Sequence, residues 1–147
     1  MSDKEYYKYW QIDIEGIDKT SKDTLRRYID IVCGHKYEIF DRGILSDVAY
    51  DKIFKRKPRE YRFSDALLDE RTWIYLLADE EDWNIRCLMT NEPKISYSEH
   101  LAAFDETVED FKKKGARIWT YNTSEMTPIM IARDVVKRMA ELNNSGE

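Results

Sequence analysis

The chain is poor in the residues that punctuate or staple a fold: five glycines, three prolines and two cysteines among 147 residues. So few glycines and prolines leave no room for a linker or a low-complexity segment, and no internal repeat is visible. Cys33 and Cys87 are far apart and lack the C-x-x-C spacing of a zinc or redox site, so both read as buried free thiols. Two histidines, His35 and His100, cannot make a zinc site without help. No apolar run reaches membrane-spanning length, and the opening "MSDKEYYKYW" has no apolar core of a secretory signal, so a cytoplasmic protein with no membrane partner is expected. Basic residues are not in excess either. Lys plus Arg is 24 against 29 for Asp plus Glu, a net charge of −5, which argues against a broad nucleic-acid-binding face on electrostatic grounds. A small anionic substrate stays compatible, because a local cluster of cations overrides net charge.

What is present is a globular balance: 42% apolar residues, 13% aromatic and 36% charged. That supports one domain over residues 1–147 with a single core. "KYWQIDI" (8–14) is β-branched and aromatic and runs into Glu15-Gly16, a strand ending in a turn. "KDTLRRYIDIVC" spaces Leu25, Ile29 and Val32 as a helix with Gly34 as its stop. "KYEIFD" (36–41) is a short strand, and "ILSDVAYDKIF" sets Ile44, Leu45, Val48, Tyr50 and Ile53 near one helical face. "TWIYLLA" (72–78) is apolar throughout, as a strand covered on both faces is. A helix with Leu101, Phe104, Val108 and Phe111 in its stripe, a last strand at 116–122 and a closing helix with Pro128 in its first turn complete the chain. Strands alternating with helices predict an α/β fold of three layers, a parallel sheet of about four or five strands between helices. In such sheets ligands sit beyond the carboxyl ends of the strands.

Two segments at predicted strand ends carry chemistry. In "EGIDKTSKDTL" (15–25) a phosphate-binding G-x-x-x-x-G-K-[ST] pattern runs from Gly16, but Ser21 stands at the second glycine and Asp23 at the magnesium-binding hydroxyl. A strand, a loop opening on a glycine and a helix starting at Lys22 form an anion site. Loop amides and the helix dipole point inward, and Lys22 adds a full charge. In "FDRGILSDVAY", Asp41 and Arg42 follow the next strand. There an acid can hold a magnesium-bound water or take a proton, and Arg42 can fork onto a phosphate. Each segment alone also reads as an ordinary turn. Their order on neighbouring strand ends is what points to phosphate chemistry.

With those residues in place, the sequence resembles the thymidylate kinase-like family of P-loop nucleoside monophosphate kinases, and among them a compact, phage-type member. Glu15, Gly16, Asp18, Lys22 and Thr24 match the family's first motif, and Asp41, Arg42, Ser46, Ala49 and Tyr50 its second. "TWIYLLADEEDWNIR" is similar to the strand and helix that lead to the family's lid, and "ARIWTYNTSEMTPIMIARDVV" to its last strand, adenine-side loop and closing helix. The resemblance implies a P-loop kinase fold and an ATP-binding set of Gly16, Ser21, Lys22, Asp23, Thr24, Asn122 and Thr123. It implies acceptor binding by Asp18, Arg42 and Tyr50, and catalysis by Lys22, Lys19, Asp41 and Arg86. It also implies Mg2+ held by Asp23 and Asp41. Nucleotides are the expected partners, with a homodimer as an open alternative to the monomer.

The chain departs from the family in lacking the strand and helix usually found between the first helix and the Asp-Arg strand, a segment that helps cover the acceptor base. Three functions stay open at this point. One is transfer of the γ-phosphoryl of ATP-Mg to a deoxynucleoside monophosphate. Another is phosphorylation of a nucleoside or a polynucleotide 5′-hydroxyl, with Asp41 as base. The third is a non-catalytic nucleotide-binding or interaction protein, for which Tyr6, Tyr7 and Tyr9 offer a partner surface.

Overall fold

A computed structural model describes residues 11–16, 22–33, 37–41, 43–57, 68, 70–90 and 96–145. In chain order the elements are β1 (Gln11–Gly16), α1 (Lys22–Cys33), β2 (Glu38–Asp41), α2 (Ile44–Ile53), β3 (Arg71–Leu77), α3 (Glu80–Thr90), α4 (Tyr97–Lys113), β4 (Arg117–Asn122) and α5 (Pro128–Ser145). The four strands form one sheet in the order β2-β1-β3-β4, with every pairing parallel. Parallel neighbours require crossovers, and the helices supply them. The predicted three-layer α/β fold is therefore the fold observed.

Each face of the sheet carries its own core. On one, α1 and α5 lie side by side over Ile12, Ile14, Ile74, Leu76 and Tyr121. On the other, α2, α3 and α4 cover Trp73, Tyr75 and Ile118 with Leu45, Ala49, Trp83, Phe104, Val108 and Phe111. The continuous apolar run in β3 has this cause: Thr72 to Leu76 are buried from both sides. Gly115 ends α4 with φ of +97°, a left-handed stop that glycine takes freely.

The helical stripes depart from the sequence reading in three places. In α1, Leu25 and Ile29 are buried, but Val32 is half-exposed. In α4 the buried row starts at His100, ahead of the predicted Leu101, and continues through Phe104, Thr107, Val108 and Phe111. That row keeps the i, i+4, i+7, i+8, i+11 spacing of one helical face, and His100 sits in it edge-on to the Tyr50 ring. In α2 only Leu45 and Ala49 of the apolar residues are fully buried. Ser46 and Asp51 are buried with them, while Ile44, Val48, Tyr50 and Ile53 pack at the margin.

Candidate functional site

The carboxyl ends of all four strands open on one edge. Register places Asp41 opposite Ile14, Gly16 opposite Leu76 and Leu77 opposite Asn122, so Asp41, Gly16, Leu77 and Asn122 line that edge in sheet order. This is where a parallel α/β sheet receives its ligand.

Gly16 turns the chain off β1 with φ of +150°, and a Cβ there would collide with the Leu76 carbonyl of β3. The position needs glycine for both reasons. α1 starts six residues later, and Thr24 is exposed in its first turn. Asp18, Lys19, Ser21 and Arg42 lie outside the described residues, as do Tyr6, Tyr7 and Tyr9. Lys22, Asp23 and Asp41 are placed by their backbones at the start of α1 and the end of β2.

The far half of the edge is described in full. The Asn122 amide donates to Asp79 Oδ1 at 2.9 Å, and its Oδ1 accepts the Ser124 N–H at 2.9 Å. The Asp79 N–H in turn donates to Ser124 Oγ at 2.9 Å. The Thr123 N–H and hydroxyl both donate to the Leu77 carbonyl, at 2.7 and 3.0 Å. Arg86, from α3, donates to Thr123 Oγ1 at 3.1 Å. Three residues singled out in the sequence thus meet here: Arg86, Asn122 and Thr123. Their side chains hold the β3 and β4 loops together, so the loop is a braced shelf. Tyr50 has packed its ring edge-on against Phe104 and His100 and stacked it on Phe54.

The strongest electrostatic feature was singled out in the sequence only as a motif match. Glu15, fully buried at the end of β1, accepts the backbone N–H of Gly43 and, at 2.6 Å, that of Ser46. These amides begin α2, which has no side-chain cap of its own. Asp13, two residues back on the same face and equally buried, accepts Arg71 Nη1 at 3.3 Å, and Arg71 also bonds Gln11 and lies over the Phe40 ring. Gly43 fits tightly between the acids: a Cβ there would stand 2.6 Å from Asp13 Oδ2 and 3.2 Å from Glu15 Oε1.

Burial pushes Glu15 up to about 8, and the neighbouring Asp13 charge adds to it, against the two amides that favour the anion. Burial pushes Asp13 up to about 6, with Arg71 pulling the other way. Burying a carboxylate costs several kcal/mol, while each hydrogen bond to a charged group returns roughly 1.5–3 kcal/mol. A helix N-terminus adds about 1 kcal/mol. Burial outweighs these returns, and both carboxyls are held above the ordinary carboxylate range.

Asp23 is the second residue of α1 and Asp41 the last of β2. Among the described residues there is no cluster of three or more His, Cys, Asp or Glu side chains that could hold a metal unaided.

Neither protein-family models nor curated proteins match the sequence. The fold does match a solved structure. YorR from Bacillus subtilis, crystallised in complex with phosphorylated GDP, superposes with a TM-score of 0.70 over 91% of this chain and 97% of that one, at 18% identity. The class is thereby defined by fold: an α/β domain with a four-stranded parallel sheet between helices. At that identity the likeness to YorR is one of fold. Among the described residues no helix is long and apolar enough to cross a membrane.

Proposed function

We propose that the protein is a nucleotide kinase that transfers the γ-phosphoryl of ATP to a deoxynucleoside monophosphate with Mg2+ as cofactor. The observation that carries this reading is the placement of Gly16 and Asp41 on adjacent strand ends, the points where the two phosphate-chemistry segments of the sequence begin. The nucleotide complex of YorR on the same fold supports it.

Phosphoryl transfer asks the protein mainly for positioning and charge. Gly16 to Thr24 wrap the donor phosphates, with the α1 amides and Lys22 drawing the anion in. Asp18, Arg42 and Tyr50 hold the acceptor, and Lys19 and Arg86 neutralise charge as it develops on the moving group. Asp23 and Asp41 would hold the magnesium, which would withdraw charge from the donor phosphates. Asn122 and Thr123 face the base through a loop that their own side chains brace. The reaction takes place in the cytoplasm, and nucleotides are the partners required.

The deciding assay offers ATP or GTP with a panel of deoxynucleosides, their monophosphates including dGMP and dTMP, and a 5′-hydroxyl oligonucleotide. Transfer to a monophosphate is the expected result. Transfer to a hydroxyl acceptor would make Asp41 a general base instead. Nucleotide binding indifferent to magnesium, with no transfer, would leave a non-catalytic binding protein.

A further inference from the structure

A helix is ordinarily capped by the residue that precedes it, with a Ser, Thr, Asn or Asp side chain accepting the first amides. α2 has glycine there, and its cap comes from Glu15, which is 28 residues from Gly43 and 31 from Ser46 in sequence. A local cap would serve the helix alone. This one ties α2 to the last residue before Gly16, where the phosphate loop begins. Gly43 lies two residues past Asp41, the last residue of β2, so the same contact fixes the chain just beyond that strand end. The steric requirement at Gly43 shows that the acids and the turn fit as a unit: no side chain can replace glycine without striking Asp13.

We propose that Glu15 is a positioning residue, a buried strap that sets Gly43 and the start of α2 against the end of β1 at Gly16 and thereby fixes where the acceptor phosphate meets the donor. The inference rests on the kinase reading for the identity of the two substrates. Glu15 itself touches neither; it acts through the backbone of Gly43 and Ser46. Groups facing it are Asp13 on its own strand, Ser46 on α2, and Arg71 beyond Asp13 on β3. A purely architectural cap would affect both substrates alike, whereas a strap on the turn affects the acceptor.

The test compares wild type with Glu15→Gln, which keeps the shape but faces one of the two amides with an NH2 group. Acceptor KM should rise about tenfold, equivalent to about 1.4 kcal/mol, with the ATP dissociation constant within about threefold of wild type. Should Glu15→Gln fail to fold, Glu15→Asp keeps the charge with a shorter reach and should show the same acceptor-selective loss. Equal weakening of donor and acceptor, or unchanged acceptor KM in a folded variant, overturns the proposal. A wild type that phosphorylates no acceptor would remove the kinase reading instead. The strap is then decided by the Gly43 and Ser46 amide resonances during titration with a nucleoside monophosphate. Shifts in wild type that vanish in Glu15→Gln uphold it, and amides that do not respond overturn it.

Discussion

β1 shows two faces that are buried to the same degree and built from opposite chemistry. Ile12 and Ile14 point into the α1/α5 core, while Asp13 and Glu15 point into the α2/α3/α4 core, and all four are fully buried. The isoleucines gain from leaving water, on the order of 1.5–3 kcal/mol each. The acids gain only if every partner is in place: Arg71 for Asp13, and the α2 amides for Glu15. The apolar face accordingly provides stability, and the acidic face fixes position. Polar side chains recur across the acidic face, where the Tyr75 hydroxyl donates to Asp105 at 3.2 Å and Tyr97 to the Ala78 carbonyl at 2.6 Å. Burial raises both phenols, and Asp105 adds to that of Tyr75.

The largest expected effect comes where the faces meet, at Gly16. Gly16→Ala introduces a Cβ against the Leu76 carbonyl at a φ that alanine avoids, and should cost about 4 kcal/mol or more in urea unfolding, or prevent folding outright. A variant of wild-type stability would show that the turn is not held as described. Next, Ile14→Ala on the apolar face should cost about 2–5 kcal/mol with no dependence on pH, through lost burial and the cavity left behind.

The acidic face should behave in the opposite way with pH. Asp13 and Glu15 hold protons to about pH 6 and about pH 8 in the folded chain, against ordinary values of 3.8 and 4.5. Folding takes up protons in that window. The stability they contribute is complete below the ordinary carboxyl range and is lost as pH rises through 6 and then 8. The slope approaches about 1.4 kcal/mol per pH unit for each proton taken up. Glu15→Gln should flatten the upper part of the curve, and a flat wild-type profile from pH 5 to 9 would contradict the assignment. Gly43→Ala, which crowds the same acids, should cost about 1–3 kcal/mol. Smallest of all is Lys52→Ala on the surface of the acidic side. Lys52 pairs with Glu106 and Asp110 at 3.4 and 3.5 Å, both well exposed, and its loss should stay below about 1 kcal/mol in the same unfolding experiment.

Periodicity and breaker residues made much of the fold legible. The α1 boundaries, the doubly covered β3, the Gly115 stop and Pro128 at the start of α5 follow from spacing and from local backbone preference. Those are properties of neighbours in sequence. The bracing of Arg86 against Thr123 was not legible, because its partners are 37 residues apart and neither type is unusual alone. Nor was the true stripe of α4, where a histidine occupies a position that apolar spacing alone assigns elsewhere.

The sequence by itself determined the alternation of strands and helices, and with it the edge where Gly16, Asp41 and Asn122 gather. Hydrophobic spacing and turn chemistry are local, and parallel pairing then leaves little choice of edge. Only the tertiary structure decided that the acids of "QIDIEG" face inward, one on Arg71 and the other on the start of α2. A carboxylate in sequence reads as solvated, and it is buried only when distant groups converge to meet its charge.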